Sequence, residues 1–240
     1  AVALGREVPE SLRGAPSATA LQSINDFQSS ENDDFVASLR SLYREQNDGF
    51  GTSANDTFRA LDRLRELHAK DYTPANGSEY SGDRFGTEMR MAAQLIKARL
   101  GVEAITVDLG GWDSHISQGP AIIPNIGRLA NGLAAFRRDL GDEMLNTTVV
   151  VMSEFGRRVK ENSVLGTDHG RGGVMFVMGG DGEEGKTIAD WPGLTEENLV
   201  GPGDLPVTTN YRDVLFPILQ KHAPDADMDK VFPGHTPNPV

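Results

Sequence analysis

Residues 102–115, VEAITVDLGGWDSH, begin with a run typical of a buried strand and end by placing Asp113 and His115 just after two glycines. The preceding residues 85–101 carry apolar side chains at helical spacing and end at Gly101, which predicts a helix followed directly by a strand. Helix, glycine and strand in this order form the unit from which mostly parallel sheets are built. The stretch therefore predicts an α/β fold.

The same order repeats downstream. Residues 124–140 have helical periodicity, and residues 147–153 (TTVVVMS) and 173–180 (GVMFVMGG) are continuous apolar runs. Such runs are typical of strands that are covered on both faces. Residues 210–223 predict a further short helix, although Pro217 lies in its interior, and the proline-rich tail of residues 229–240 predicts irregular structure.

The first third of the chain is polar and helix-prone. Residues 17–70 place apolar side chains three to four positions apart, which predicts two or three amphipathic helices that cover a face of the sheet or form a lid. We therefore expect one α/β domain over residues 1–240, with a core and its site motifs in residues 102–222.

Composition excludes several classes of function. The chain has 240 residues and a formal net charge of −12, which disfavours binding to nucleic acid because phosphate backbones are also negative. No apolar run approaches the roughly 20 residues that span a bilayer, so we expect no membrane insertion. The chain has no cysteine, so any metal must be bound by carboxylate, imidazole, hydroxyl or water.

Acidic and histidine side chains follow two of the predicted strands. Beyond the DSH motif, the run VVVMSEFGRR (149–158) leads through a short loop into GTDHG (166–170). Ligands in doubly wound sheets bind beyond the carboxyl ends of the strands, so we expect these loops to converge. The candidate ligands of a divalent metal are Asp113, His115, Glu154, Asp168 and His169. The same spacing also fits aspartates that cap loops and histidines that make ordinary hydrogen bonds.

The neighbouring residues also leave alternatives open. Arg157 could bind an anionic substrate, or it could pair with Glu154. Trp112 could form a pocket wall or fill an apolar gap. His68 and His222 lie at positions that favour surface roles, and His235 falls in the tail.

Three motifs, GGWDSH, SEFGRR and GTDHGRGG, resemble in their order and spacing the bacterial family called domain of unknown function 1501. The resemblance covers most of the chain, including TTNYRDVLFPILQ and the VFPG sequence near the end. It places the chain in the alkaline-phosphatase and sulfatase-like superfamily. It therefore implies a three-layer αβα sandwich with a mostly parallel sheet.

The resemblance also implies a function. It predicts a metal-dependent hydrolase of phosphate or sulfate esters, exported or periplasmic, that acts on a small anionic ester with one or two divalent ions (Zn, Ca, Mg or Mn). Asp113 and His115 match the first group of superfamily ligands, Glu154 matches the acid of the second, and Asp168 with His169 match the last. Arg157 would lie near the anion as the catalytic residue.

Two departures from the superfamily pattern qualify this expectation. Phe155 stands where the second ligand group usually has His, which argues against a two-metal site. The superfamily's nucleophile and its first strand have no counterpart here, so we expect an incomplete fragment that lacks an N-terminal strand and export signal and hydrolyses esters poorly. Ser114 and Ser153 are the nearest hydroxyls. The alternative is a non-catalytic exported binding or surface protein that retains the fold.

Overall fold

A computed structural model gives the positions of residues 1–15, 18–24, 33–44, 51, 54–55, 58–59, 62, 72–179 and 185–238. These residues form a mixed α/β structure with helices and small sheets. The α-helices are α1 (Asp33–Arg44), α2 (Arg84–Lys97), α3 (Gln118–Leu140), α4 (Tyr211–His222) and α5 (Met228–Val231). The strands are β1 (Val2–Leu4), β2 (Thr19–Leu21), β3 (Ile105–Val107), β4 (Thr148–Val151), β5 (Gly156–Arg157), β6 (His169–Gly170) and β7 (Phe176–Gly179).

The chain divides into two compact units. Unit 1 comprises residues 1–109 and 126–141, and unit 2 comprises residues 110–125 and 142–240. The boundary falls within α3, whose residues 118–125 belong to unit 2 and whose remainder belongs to unit 1.

Unit 1 contains a three-stranded parallel sheet in the order β2–β1–β3. Helix α2 packs against β1 and β3 and buries Phe85, Met89 and Leu95. The helix begins after Asp83, whose carboxylate accepts the backbone N–H of Gly86 at 2.8 Å and so caps the first turn. This apolar face holds the helix on the sheet, because burial of each large side chain contributes about 2 kcal/mol.

Asp139 is the most deeply buried acid of unit 1. Its carboxylate accepts hydrogen bonds from the hydroxyls of Tyr72 and Tyr80, from the backbone N–H of Ala75 and from the ammonium of Lys97. Burial opposes ionisation, but these four donors outweigh it and hold the pKa of Asp139 below its ordinary value. One carboxylate on α3 thereby fixes the loop at residues 72–83 and the end of α2.

Unit 2 contains two small antiparallel sheets. Strand β4 pairs with β7 and places Val150 opposite Val177, and β5 pairs with β6 and places Arg157 opposite His169. Helix α4 begins after Asn210, whose side chain accepts the backbone N–H of Arg212. Pro217 lies within α4.

The structure confirms the mixed α/β class but not the predicted three-layer sandwich with a mostly parallel sheet. Strands form within all three predicted ranges, yet β4 and β7 run antiparallel. The strands β1 and β2 were not predicted, because each has three residues and, unlike β3, neither follows a predicted helix that ends at a glycine. The predicted helices of residues 17–70 lie mostly outside the described residues, apart from α1. None of the described helices is both long and apolar enough to cross a membrane.

Asp139→Asn is expected to lower the free energy of unfolding of unit 1 by about 3 kcal/mol, because the ammonium of Lys97 loses its buried carboxylate partner. The native pKa of Asp139 is lowered, so its contribution is present above the ordinary value of 3.8 and is lost as the pH falls through the native pKa. Urea denaturation at neutral pH measures the effect, and Glu103→Gln, at an exposed acid of the same unit, serves as the control. Equal midpoints for the two variants would contradict this role of Asp139.

Candidate metal centre

Two segments of unit 2 that are distant in sequence are joined by backbone hydrogen bonds. The N–H of Ser117 donates to the carbonyl of Val164 at 3.0 Å, and the N–H of Gln118 donates to Leu165 at 2.9 Å. The hydroxyl of Thr167 also donates to the side chain of Gln118 at 2.6 Å. These bonds bring the DSH loop beside the GTDHG loop, although β3 and β4, which precede the two motifs, belong to different described sheets.

The glycines of the second motif permit this close approach. A Cβ on Gly166 would lie 2.0 Å from the carbonyl oxygen of His115, and a Cβ on Gly156 would lie 2.0 Å from the carbonyl oxygen of Gly172. Neither position has room for a side chain unless the backbone moves. Gly166 therefore fixes the distance between the two loops, and Gly156 fixes the path of the short β5–β6 pair.

Arg157 joins the two loops through its guanidinium group. It donates to the backbone carbonyl of Trp112 at 2.5 Å and to that of Thr167 at 2.5 Å. The guanidinium also lies over the ring of Phe155, 5.0 Å from its centroid. In this arrangement Arg157 holds the backbone on both sides of the site, and its predicted role near an anion stays a prediction.

Asn162 makes a second link between the loops. Its side-chain oxygen accepts the backbone N–H groups of Val164 and Gly166, each at 3.0 Å, and thereby shapes the turn. Its amide nitrogen donates to the carbonyl of His115 at 3.0 Å. The amide thus stabilises the turn of the second loop and the backbone of the first loop together.

Asp113, His115 and His169 come together at this junction. One potential ligand atom from each residue lies within 4.8 Å of the other two. The Nε2 atom of His169 lies 2.9 Å from Asp113 Oδ1, and the Nε2 atom of His115 lies 3.1 Å from the same oxygen. All three side chains are exposed, at 65% for Asp113 and 44% for each imidazole. The cluster is therefore open to solvent.

His115 lies between two carboxylates. Its Nε2 faces Asp113, and its Nδ1 faces Asp168 Oδ1 at 3.2 Å. A neutral imidazole carries only one N–H, so it cannot donate to both carboxylates at once. A divalent cation between the two Nε2 atoms and Asp113 would fit this donor set, because Nδ1–H would then donate to Asp168 and the Nε2 lone pair would face the cation.

The pKa values of both aspartates at the site are lowered by their neighbours. The hydrogen bond from His169, with the guanidinium of Arg157 nearby, holds the pKa of Asp113 below its ordinary value. Hydrogen bonds from His115 and Asn162 do the same for the pKa of Asp168. Both acids are therefore negative at neutral pH, as metal binding requires.

Asp168 occupies a different position from the other three candidates. Its Oδ1 contacts Nδ1 of His115, the ring nitrogen that does not face Asp113, and Arg158 pairs with Asp168 Oδ2 at 3.3 Å. Arg158 also lies 3.7 Å from Asp204, which is largely buried. This arrangement suits a carboxylate that orients an imidazole ligand, whereas the sequence predicted a direct ligand at Asp168.

The fifth candidate, Glu154, is exposed and is not part of the three-residue group. Its neighbour Phe155 stacks on His169, with ring centroids 3.9 Å apart. Ser153 donates its hydroxyl to the carbonyl of Phe155, as expected for a serine that bonds within its own loop. The hydroxyl of Ser114 is buried and has no hydrogen-bond partner among the described residues.

The remaining candidates lie outside this cluster. His222 interacts with the hydroxyl of Thr148 at 2.9 Å, and His235 lies 2.9 Å from Asp213 with both side chains largely buried. His68 falls outside the described residues. The sequence pattern did not indicate the supporting residues Asn162 and Arg158. The available signal for the first was an Asn four residues before Gly166, because Asn side chains commonly accept backbone N–H groups two residues further on.

Gly166→Ala is expected to destabilise unit 2 by about 2 kcal/mol, because the new methyl group would overlap the carbonyl of His115. The imidazole resonances of His115 should also shift in an NMR spectrum. Gly119→Ala is the matched control, since a Cβ there meets no atom within 4 Å and lies at the start of a helix. Equal stability and unchanged imidazole resonances in both variants would refute the close-approach argument.

Comparison with known proteins identifies the family. The family model described as "Protein of unknown function (DUF1501)" matches residues 4–232 and so includes both loops of the site. No curated protein and no solved structure matches the chain. Since the match extends over almost the whole sequence, the chain belongs to the DUF1501 family.

Proposed function

We propose that this protein is a divalent-metal-dependent hydrolase of phosphate or sulfate esters. The observation that carries the proposal is the convergence of Asp113, His115 and His169, whose ligand atoms lie within 4.8 Å of one another. One carboxylate and two imidazoles are a common donor set for borderline divalent cations such as Zn²⁺ or Mn²⁺. Three protein ligands also leave positions open for water and substrate.

The resemblance to the alkaline-phosphatase and sulfatase-like superfamily supports the choice of substrate. In that superfamily, acid and histidine groups after successive strands bind the metals that act on phosphate and sulfate esters. The exposure of the cluster suits a small anionic ester that approaches from solvent. The proposal includes export to the periplasm, for which the support is the same resemblance.

Each residue has a defined part in this proposal. Asp113, His115 and His169 hold the cation, and Asp168 orients His115 through Nδ1. A cation held there would supply Lewis-acid polarisation of an ester oxygen and would lower the pKa of water. Arg157 fixes both loops and adds positive charge beside the cluster. Phe155 covers one face of His169 and limits its rotation.

A non-catalytic metal-binding protein is the second candidate. It is favoured by the two nearby serines, because Ser153 is bonded to its own loop and the hydroxyl of Ser114 is buried. Neither hydroxyl is placed as an activated nucleophile, which requires an adjacent base within hydrogen-bond distance. If the protein is a hydrolase without a serine nucleophile, hydrolysis would depend on a water activated by the metal. Measurement of ester hydrolysis distinguishes the two candidate functions.

Metal binding is the first test. Titration of the metal-free protein with Zn²⁺ or Mn²⁺ in a calorimeter should show one site, and His169→Ala should weaken it by about 100-fold or more, because one of three ligands is lost. Asp168→Asn should weaken it by about 10-fold, because the orientation of His115 is lost. His222→Ala, which removes an exposed imidazole bonded to Thr148, is the control. Equal affinity of His169→Ala and the control would eliminate the site.

Turnover is the second test. With the preferred metal, hydrolysis of 4-nitrophenyl phosphate or 4-nitrophenyl sulfate should be measurable, should disappear in His169→Ala and should persist in Ser114→Ala. Metal binding without hydrolysis of either ester would favour the non-catalytic candidate. Loss of hydrolysis in Ser114→Ala with metal affinity intact would instead identify Ser114 as the nucleophile.

A third test addresses Arg157. Arg157→Lys keeps the charge but cannot donate to the carbonyls of Trp112 and Thr167 together in the same fork geometry. We expect it to weaken metal binding by about 10-fold, because the two loops lose their shared restraint. Unchanged metal affinity combined with a raised KM would show that Arg157 acts on the anion and does not position the loops.

A further inference from the structure

Unit 1 contains a cleft at the carboxyl end of its parallel sheet. Strand β1 lies at the centre of this sheet, with β2 on one side of it and β3 on the other. The direction in which successive strands are added therefore reverses between β1 and β3. Crevices at such reversals are where open α/β sheets bind ligands, because the loops after the two strands lead in opposite directions. The cleft has a volume of about 480 Å³, within the range of small-molecule sites.

Two guanidinium groups line this cleft. Arg84, the first residue of α2, donates its Nε to Glu88 at 2.6 Å, which leaves its two terminal amino groups available. One of them lies against Gly5 in the loop after β1, since a Cβ at Gly5 would come within 3.3 Å of it. Arg6 also lines the cleft, is exposed and has no ion pair with any described residue.

Three acidic residues also line the cleft. Glu10 pairs with Arg13 at 2.6 Å, so these two charges cancel. Glu7 is exposed and directly follows Arg6 in the chain. Asp108 follows β3 and interacts electrostatically with Arg84, and Thr106 adds a side-chain hydroxyl on the same strand. The cleft therefore offers guanidinium donors for an oxyanion together with acceptors for hydroxyl groups.

We propose that this cleft binds a small phosphate ester that carries hydroxyl groups, with the oxyanion on Arg6 and Arg84 and the hydroxyls donating to Asp108. Guanidinium groups bind phosphate through paired, charge-assisted N–H donors. The carboxylate of Asp108 repels a bare phosphate but favours one whose hydroxyls reach it. The proposal is independent of the metal centre.

Glucose 6-phosphate, inorganic phosphate and glucose are suitable probes. The full chain, freed of metal on a chelating resin, is titrated with each and followed by amide NMR. We expect saturable shifts at Gly5, Thr106 and Asp108 with glucose 6-phosphate, weaker binding of inorganic phosphate, and no saturation with glucose. The Kd for glucose 6-phosphate should rise about 10-fold in Arg6→Gln and in Arg84→Lys, because each loses charge-assisted hydrogen bonds.

Two further variants sharpen the test. Asp108→Asn should weaken glucose 6-phosphate and strengthen inorganic phosphate, because a hydroxyl acceptor is weakened and a repelling charge is removed. Arg44→Gln, which removes one exposed positive charge at the end of α1, should bind both as the unmodified chain does. The proposal is overturned by the absence of saturable shifts, by shifts confined to Asp113, His115 and His169, or by unchanged affinity in both Arg6→Gln and Arg84→Lys.

Discussion

The guanidinium of Arg157 holds together the two loops that carry the candidate metal ligands. Its bonds to Trp112 and Thr167 add to the links between the DSH loop and the GTDHG loop at Asn162, at the start of α3 and between the histidine and aspartate side chains of the site. Loop segments have few buried apolar contacts, so their geometry depends on such polar links. The spacing of Asp113, His115 and His169 follows from this restraint.

The same restraint explains why the three candidate ligands can be exposed and still keep one arrangement. A cluster of unlinked surface side chains would lose rotamer entropy on binding a cation. Here Asp168, which pairs with Arg158, contacts Nδ1 of His115, and Phe155 stacks on His169. Supporting contacts of this kind raise metal affinity because the geometry exists before the cation arrives.

The sequence predicted the helices and strands whose patterns are long, and it named Asp113, His115 and His169 among five candidate ligands, three side chains that lie together in the structure. It did not predict β1 and β2, which unlike β3 do not follow a predicted helix, or the antiparallel pairing of β4 with β7, because apolar content does not encode strand direction. It did not identify Asn162, and the orienting role proposed for Asp168 depends on which nitrogen of His115 faces which carboxylate. That choice becomes visible only when the two loops are side by side.

The position of a bound cation tests the central claim most directly. Crystals grown with Zn²⁺ or Mn²⁺ give an anomalous signal that locates the ion independently of the protein atoms. The account predicts one peak at about 2.0–2.2 Å from Asp113 and from the Nε2 atoms of His115 and His169, with Asp168 still on Nδ1 of His115. A peak bound elsewhere, or none at this cluster at saturating metal, would contradict it.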